Sequence, residues 1–311
     1  FGLFSGPPRP APSSTFWKGV IPSQMVISNA VYGDAITEGR ASLIDRMQYF
    51  GTPGLSVAIA IRKEVVWAEC FGYSDIRSKT LVDPLTKFRV GSVSKPFTAA
   101  LMAKLREEGK VAWDAPVRTY LDYPEKKYSF TIRQLGGHLA GVGRSKPVPL
   151  LNTKRYHTIN ESLQEFQHEP LLFRPGDRFH YSGEGYTILA AVAEAVSHND
   201  FLSLMEEKVF NPLQMTNTYP DLPGVSNVTL FYDNYTKKDR LPVIASYHDG
   251  SRHWAAGGFL STPLDMVKFG NAHLSSGFFK LETVATLFTS QKTADGAETG
   301  YGIGWSVVSG P

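Results

Sequence analysis

The sequence predicts an α/β (α+β) fold, in which an antiparallel sheet is flanked by helices and interrupted by a large, mostly helical insertion. β-rich sequence lies near both ends of the chain, over residues 55–74 and 301–308. Between them, apolar residues recur at helical spacing. Strands at opposite ends of a chain pair with each other to satisfy their backbone hydrogen bonds, so the helical sequence between them forms an insertion.

The first part of the chain contains an arm, a helix and a hairpin. Residues 1–35 are rich in Pro, Gly and Ser, which predicts an arm laid over the body of the protein or loosely ordered. Apolar residues at helical intervals over 36–50, followed by Gly-Thr-Pro, predict one amphipathic helix. Two β-rich runs, 55–62 and 65–74, flank a short polar Lys-Glu pair and predict a tight hairpin.

Helical patterns dominate the middle of the chain. Apolar stripes predict helices over 94–108, 186–196 and 263–274. We therefore expect three regions: an N-terminal Pro/Gly-rich arm, 1–35; a sheet domain, incomplete at its C-terminus, built from 36–91 and 299–311; and a mainly helical domain, 92–298.

The composition excludes several classes of function. Hydrophobic residues make up 42% and charged residues 20% of the 311, which is ordinary globular usage. The net charge of +3 comes without basic blocks that bind phosphate backbones, so nucleic acid is not an expected partner. No stretch reaches the roughly 18 apolar residues of a membrane span. The single cysteine, Cys70, lies in an apolar run that predicts a buried thiol, and the eight histidines lack metal-ligand spacing, so neither a metal nor a cofactor is expected.

Three Asn-x-Ser/Thr sequons bear on the cellular location. They begin at Asn160, Asn227 and Asn234, and each is a candidate N-glycosylation site. Their number favours a secretory route, so we expect a secreted or periplasmic protein.

The strongest chemical signal is Ser92, followed three residues later by Lys95 at the start of a predicted helix. At this spacing the hydroxyl and the amine share one helix face and lie within hydrogen-bond reach. A serine hydroxyl becomes a nucleophile when a base takes its proton, and a lysine desolvated in a cleft can be that base. Backbone amides at the helix start also favour negative charge that develops on a carbonyl oxygen. The alternative interpretation is a helix cap followed by a surface lysine.

Six stretches between residues 36 and 311 follow one another in an order that a known family shares. They are P-G-L-S-V-A-I at Pro53, G-S-V-S-K at Gly91, G-G-H-L-A-G-V at Gly136, R-P-G-D-R-F-H-Y-S-G-E-G-Y at Arg174, A-A-G-G-F-L-S-T at Ala255 and Y-G-I-G-W at Tyr301. The chain resembles the penicillin-recognising serine hydrolases, which comprise class C β-lactamases, D-Ala-D-Ala carboxypeptidases and related esterases and peptidases. It is most similar to the serine β-lactamase-like proteins of the mitochondrial type and their bacterial relatives. The resemblance implies a β-lactamase/transpeptidase-like fold.

The resemblance also implies roles for individual residues. Ser92 would be the acylated nucleophile, with its backbone amide as half of an oxyanion hole, and Lys95 would be its proton partner. Tyr181 matches the tyrosine of the family's Tyr-x-Asn motif and would share the proton transfer. For Tyr181, the alternative is a turn tyrosine that packs on the core.

The chain departs from the family at Gly183, which stands where the Tyr-x-Asn motif has its asparagine. The side-chain amide that helps hold the substrate and the lysine is therefore missing, which favours a peptidase or esterase over a true β-lactamase. Gly183, His138 and Gly257 are expected to shape the substrate side or the oxyanion side of the site. For His138, the pinning of a turn is favoured over direct contact with the cleft.

A second departure concerns the family's third motif, Lys or His followed by Thr or Ser and then Gly, on a strand after Y-G-x-G-W. The present chain stops at Pro311, before that strand, and Lys292-Thr293-Ala294 lacks the glycine and precedes Tyr301. We therefore expect a further C-terminal segment, or a second chain, that closes the sheet and supplies the other oxyanion-hole amide.

The leading functional hypothesis is a cofactor-independent serine hydrolase that forms an acyl-enzyme on Ser92 with a peptide or a small ester or amide. One alternative is a catalytically weak or inactive member with an assembly or binding role, which predicts self-association into a homo-oligomer. A second alternative is an acyltransferase. The resemblance adds the mitochondrial intermembrane space as an alternative location.

Overall fold

The structure, a computed structural model, describes residues 16–144, 152–233, 242–274 and 277–307. Its strands are β1 (Ser23–Ser28), β2 (Gly54–Ile61), β3 (Glu64–Asp75), β4 (Thr80–Leu81), β5 (Phe88–Arg89), β6 (Tyr219–Pro220), β7 (Tyr232–Asp233), β8 (Val243–Ile244) and β9 (Phe259–Ser261). Its α-helices are α1 (Gly33–Phe50), α2 (Ser94–Glu107), α3 (Ile132–Gly136), α4 (Ile159–Gln164), α5 (Glu184–Ser197), α6 (Phe201–Met205), α7 (Trp254–Gly257), α8 (Pro263–Ala272) and α9 (Leu281–Phe288). These residues form two compact units.

The first unit is built on an antiparallel sheet. Among the described residues it comprises 16–87, 227–233, 242–246 and 262–267. The strand order is β1-β3-β2, and β4 also pairs with β3. The predicted hairpin is confirmed, but its turn lies one residue earlier than the Lys-Glu pair that was predicted to form it. Ile61 of β2 lies opposite Glu64 of β3, and two residues with positive φ, Arg62 and Lys63, form the turn between them.

Apolar side chains of helix α1 pack against this sheet. The buried side chains of the cluster are Ile21, Ile36, Met47, Trp67 and Phe71. Two of them lie on α1 and two on β3, so the helix and the central strand form one core. Gly51 ends the helix with φ +64°, at the Gly-Thr-Pro sequence that predicted the end.

The prediction of an arm over residues 1–35 needs correction for residues 16–35, the part of it that the structure describes. Strand β1 lies within it and pairs antiparallel with β3, from Ser23 opposite Phe71 to Ser28 opposite Trp67. Trp17 is also fixed, since its Nε1 donates to the Thr52 carbonyl at 3.0 Å. The physical reason is that the free edge of β3 carries backbone donors and acceptors, with which the Met-Val-Ile segment pairs. The Pro-rich sequence around this segment obscures its strand pattern.

The second unit is mainly helical, and its described residues are 88–144, 152–226, 247–261, 268–274 and 277–307. Helix α2 runs through its core: Phe97, Leu101 and Leu105 are fully buried. The ring of Phe97 meets those of Phe210, Phe259 and Phe269 edge-on. A small sheet of order β5-β9-β6 completes this unit. The helices predicted over 94–108 and 186–196 are confirmed as α2 and α5.

The strand predicted over residues 301–308 is wrong for 301–307, the part of it that is described. The chain turns back there, because Gly302 N–H donates to the Trp305 carbonyl and Val307 N–H to the Gly300 carbonyl, each at 2.8 Å. Gly304 has φ +83°, and a Cβ there would lie 2.6 Å from Ala99 of α2. This turn therefore packs within the helical unit, so the division of the chain differs from the predicted sheet domain over 299–307.

Cys70 is 2% exposed, as its apolar sequence context predicts. Burial raises the pKa of the thiol, which keeps it protonated and unreactive. Among the described residues, the helices are all too short or too polar to span a membrane.

The ion pair between α1 and β3 yields a stability prediction. Glu69 is fully buried, and Arg40 Nε donates to its Oε1 at 2.7 Å. Arg40→Met leaves the buried carboxylate without its cation, so the free energy of unfolding should fall by about 3 kcal/mol. This is the lower end of the range for a broken buried pair, because the Arg40 side chain is 37% exposed. Urea denaturation measures this. Gln48→Met, at an exposed position on the same helix, should change it by under about 0.5 kcal/mol, and equal effects of the two variants would refute the role of the pair.

Candidate active site

Ser92 and Lys95 meet at the start of α2. Ser92 lies in a 3₁₀ turn, Gly91–Val93, that leads into the helix, and its side chain is exposed. Gly91 has φ +53°, which a glycine adopts without strain. Lys95 is 3% exposed, and its Nζ lies 3.3 Å from Ser92 Oγ. The structure thus brings together the two groups that the Ser-x-x-Lys spacing singled out.

The amine of Lys95 is held from its other side by the backbone of α7. Its Nζ donates to the Ala256 carbonyl at 2.9 Å, and one turn further along α2 the Thr98 hydroxyl donates to the Ala255 carbonyl at 2.7 Å. Lys95 forms no ion pair with any carboxylate of the described residues. The amine is therefore buried between a hydroxyl and a carbonyl, with no anion to neutralise it.

Tyr181 is the third predicted catalytic residue that the structure places here. The ring centroid lies 4.5 Å from Lys95 Nζ, and the side chain is 46% exposed. The next residue, Ser182, is buried and accepts from the Gly185 amide through its Oγ at 3.2 Å, which ties the tyrosine to the first turn of α5. Tyr181 therefore presents a solvent-accessible phenol beside the amine.

His138 lies beneath Tyr181 and pins the turn that carries it. Its carbonyl accepts from His180 N–H at 2.8 Å, and its Nδ1 accepts from Ser182 N–H at 3.1 Å. The imidazole lies 4.3 Å from the Tyr181 ring and 4.8 Å from the Tyr301 ring, measured between centroids. Burial and the nearby charge of Lys95 lower the pKa of His138 to about 3, so the ring is neutral.

The two predicted glycines border the same site. An ideal Cβ at Gly183 would lie 3.6 Å from Ala256 Cβ, and one at Gly257 would lie 3.7 Å from the Gly91 carbonyl group. Gly257 thus packs beneath the Gly91–Val93 turn, and Gly183 faces helix α7, whose Ala256 carbonyl holds Lys95. All six predicted site residues lie in the helical unit, around the start of α2.

Tyr186 belongs to this group, although no sequence pattern singled it out. It is fully buried, its hydroxyl donates to the Gly136 carbonyl at 2.8 Å, and its ring lies 5.7 Å from Lys95 Nζ. The signal that could have found it is its place at the end of the R-P-G-D-R-F-H-Y-S-G-E-G-Y stretch, five residues after Tyr181. Buried rings from α5 and from the turn at Tyr301 thus form the wall behind the amine.

The sequons differ in their surroundings. Asn160 is exposed in the first turn of α4. Asn227 has φ +51°, and its Nδ2 donates to both carboxylate oxygens of Asp83 at 2.9 and 3.1 Å. Asn234 lies outside the described residues. Of the two described asparagines, only Asn160 has a side-chain amide that makes no hydrogen bond to another protein group, so attachment of a glycan there breaks no such bond.

Comparison with known proteins decides the family. The sequence matches the Beta-lactamase family over residues 41–310. The chain belongs to the β-lactamase family. This confirms the resemblance to penicillin-recognising serine hydrolases and the predicted fold class.

Individual relatives of this β-lactamase family chain include the mitochondrial serine beta-lactamase-like protein LACTB of Homo sapiens, which is 30% identical. That match covers 89% of this chain and 66% of the relative, so the chain spans just under two thirds of the relative's length. The octameric penicillin-binding protein homologue from Pyrococcus abyssi superposes with a TM-score of 0.73 at 24% identity, over 86% of this chain and 64% of that one. EstCE1, described as a hydrolase with promiscuous acyltransferase activity, superposes with a TM-score of 0.75 at 21% identity, over 88% and 83%. At these identities, the likeness to the two solved structures shows that this chain shares their fold.

The neutral His138 predicts how stability depends on pH. In the unfolded chain a histidine takes up a proton near pH 6.5, whereas folded His138 does so only near pH 3. Between these values the unfolded state binds more protons, so the free energy of unfolding should fall as the pH falls from about 6.5, by up to about 1.4 kcal/mol per pH unit for this group. His138→Asn keeps an acceptor for Ser182 N–H and tolerates positive φ. Denaturant titrations at pH values from 6.5 to 4.5 give the slope of the unfolding free energy against pH. In this variant the slope should be smaller by the equivalent of about one proton, and equal slopes in the variant and the wild type would contradict the prediction.

Proposed function

We propose that the chain is a serine hydrolase that forms an acyl-enzyme on Ser92 with a peptide or a small ester or amide. One observation carries the proposal: the Nζ of Lys95, buried and without a carboxylate partner, lies 3.3 Å from Ser92 Oγ. This is the geometry in which an amine takes the proton of an attacking hydroxyl.

The chemistry runs in two steps. As Ser92 Oγ bonds to the substrate carbonyl carbon, its hydroxyl proton passes to the base formed by Lys95 and Tyr181. The bond to the leaving group then breaks, and the leaving group departs with that proton. Water repeats the sequence on the acyl-enzyme and releases the acid. Backbone amides at the α2 start stabilise the oxyanion of each step.

Tyr181 is suited to carry the proton between Lys95 and the leaving group. Its ring lies against the amine, and its exposed side reaches the substrate. Lys95 is almost fully buried and is also engaged with the Ala256 carbonyl, so a more exposed relay is needed for the leaving group. The neutral imidazole of His138 supports this role, because it adds no second positive charge beside Lys95.

Gly183 supports a peptide or ester substrate over a β-lactam. No side-chain amide projects from this position toward the cleft, so the substrate gains no amide hydrogen bond there. If an alcohol or amine replaces water in the second step, the same acyl-enzyme transfers its acyl group. The fold shared with EstCE1, a hydrolase with promiscuous acyltransferase activity, favours this as a further reaction of the site.

A second candidate function is assembly or binding with weak or absent catalysis. The octameric penicillin-binding protein homologue from Pyrococcus abyssi shares this fold, which favours a homo-oligomer as the form to look for. This function does not need the hydroxyl of Ser92, so the two candidates separate in the experiment below.

The proposal predicts that hydrolysis depends on the Ser92 hydroxyl. Ser92→Ala should lower kcat/KM for p-nitrophenyl butyrate by about 10³-fold or more, and Tyr181→Phe by about 10²-fold. A fluorophosphonate probe should label Ser92 in the wild-type chain, as identified by peptide mass spectrometry. The matched control is Ser94→Ala, because the Ser94 hydroxyl is buried without a hydrogen-bond partner on the same helix. Unlabelled Ser92, together with equal rates in wild type and Ser92→Ala, would favour the assembly function.

A further inference from the structure

His253 lies at the edge of the candidate active site and has no role in the chemistry described above. It ends the 3₁₀ turn Gly250–His253 and directly precedes α7, whose Ala256 carbonyl holds Lys95. Its ring is only partly buried. Its Nδ1 lies 3.7 Å from the place where a Cβ on Gly183 would stand, and Ala256 Cβ lies 3.6 Å from the same place. The space beside Gly183 is thus bounded by an imidazole and by helix α7, which positions the amine.

The imidazole forms no side-chain hydrogen bond in the part of the chain described. Neither of its ring nitrogens takes part in a hydrogen bond within these ranges. The turn is fixed by its neighbours instead: Ser251 Oγ accepts from Tyr156 N–H at 2.8 Å, and the Arg252 carbonyl accepts from Ser162 Oγ at 2.6 Å. The ring nitrogens of His253 do not belong to the buried polar atoms that lack a partner, so solvent reaches them, and a polar group of a ligand can take the place of that water.

The charge state of the ring limits the ligands that it suits. Burial and the cations Arg252 and Arg144, with a smaller effect of His248, lower the pKa of His253 to about 4 against the opposing effect of Glu184. Glu184 is itself paired, since Arg144 Nε lies 3.0 Å from its Oε1. At neutral pH the ring therefore presents one N–H donor and one nitrogen acceptor, a combination that matches an uncharged amide.

We propose that His253 is a substrate-binding residue of the Ser92 site and that it hydrogen-bonds an amide group of the substrate, next to the scissile carbonyl, in the space beside Gly183. The role rests on the proposed function of Ser92. It narrows the substrate class to acyl compounds that carry an additional uncharged amide, as peptides do, and it disfavours a carboxylate or an ammonium group at this position.

The test compares substrates that differ by one amide. p-Nitrophenyl N-acetylglycinate carries an amide on the acyl side that p-nitrophenyl butyrate lacks, and the butyrate ester of 4-hydroxyacetanilide carries one on the leaving-group side. His253→Ala should raise KM about tenfold for at least one amide-bearing ester, because one hydrogen bond to the substrate is lost. The KM for p-nitrophenyl butyrate should stay unchanged. His253→Asn, which keeps a neutral donor and acceptor, should restore part of the affinity. Unchanged KM values for both amide-bearing esters would overturn the proposal.

A second variant tests the space itself without touching the imidazole. Gly183→Ala is compatible with the backbone, since φ is −75° and the nearest atoms to a Cβ lie at ordinary contact distances. The added methyl group should raise KM for the same amide-bearing ester as His253→Ala does. The matched control is His168→Ala, an exposed histidine of the same unit, which should behave as wild type.

Two further measurements separate this proposal from the proposed function. Fluorophosphonate labelling of Ser92 should be equal in wild type and His253→Ala, because the probe has no amide. N-Acetylglycinamide, titrated by calorimetry into the Ser92→Ala protein, should bind about tenfold more weakly when His253→Ala is added. If labelling succeeds but amide binding does not depend on His253, only the present inference is wrong. If Ser92 is neither labelled nor needed for hydrolysis, the proposed function is wrong, and the His253 role that rests on it falls as well.

Discussion

The burial of one amine organises the candidate site. Lys95 is 3% exposed and has no carboxylate partner among the described residues, so its Nζ must be satisfied by neutral groups. Ser92 Oγ and the Ala256 carbonyl fill that need, at 3.3 and 2.9 Å. The proposed nucleophile is thereby held next to its proposed base. Helix α7 lies against α2, where the Thr98 hydroxyl donates to the Ala255 carbonyl.

A layer of neutral rings supports the amine from behind. The His138 ring packs against the rings of Tyr181, Tyr186 and Tyr301. Burial raises the pKa of Tyr186 and Tyr301, so both phenols stay protonated. His138 resists protonation for the same reason, and a charged imidazole would repel Lys95. The wall can therefore position Tyr181 without competing for the proton that the proposed reaction moves. Because folded His138 resists protonation, the free energy of unfolding is expected to fall at low pH.

Much of the local structure is predictable from residue patterns. The hairpin of β2 and β3, helices α1, α2 and α5 and the burial of Cys70 all follow from apolar spacing and turn chemistry within short windows. The candidate site is predictable to a similar degree, because its strongest pair is local and its other members come from a resemblance in ordered motifs. Two patterns mislead: β1 was hidden in a Pro-rich context, and 301–307 resembles a strand although its glycines fold it into a turn.

By itself, the sequence determined that Ser92 and Lys95 share a helix face, that their helix is apolar, and that Gly183 carries no side-chain amide. Only the tertiary structure decided that the second partner of Lys95 is a carbonyl 161 residues away, and that an unpaired imidazole at His253 borders the space beside Gly183. The physical reason is the range of the interactions. A three-residue spacing follows from helix geometry alone. Contacts across more than a hundred residues depend on how whole elements pack, which no local pattern encodes.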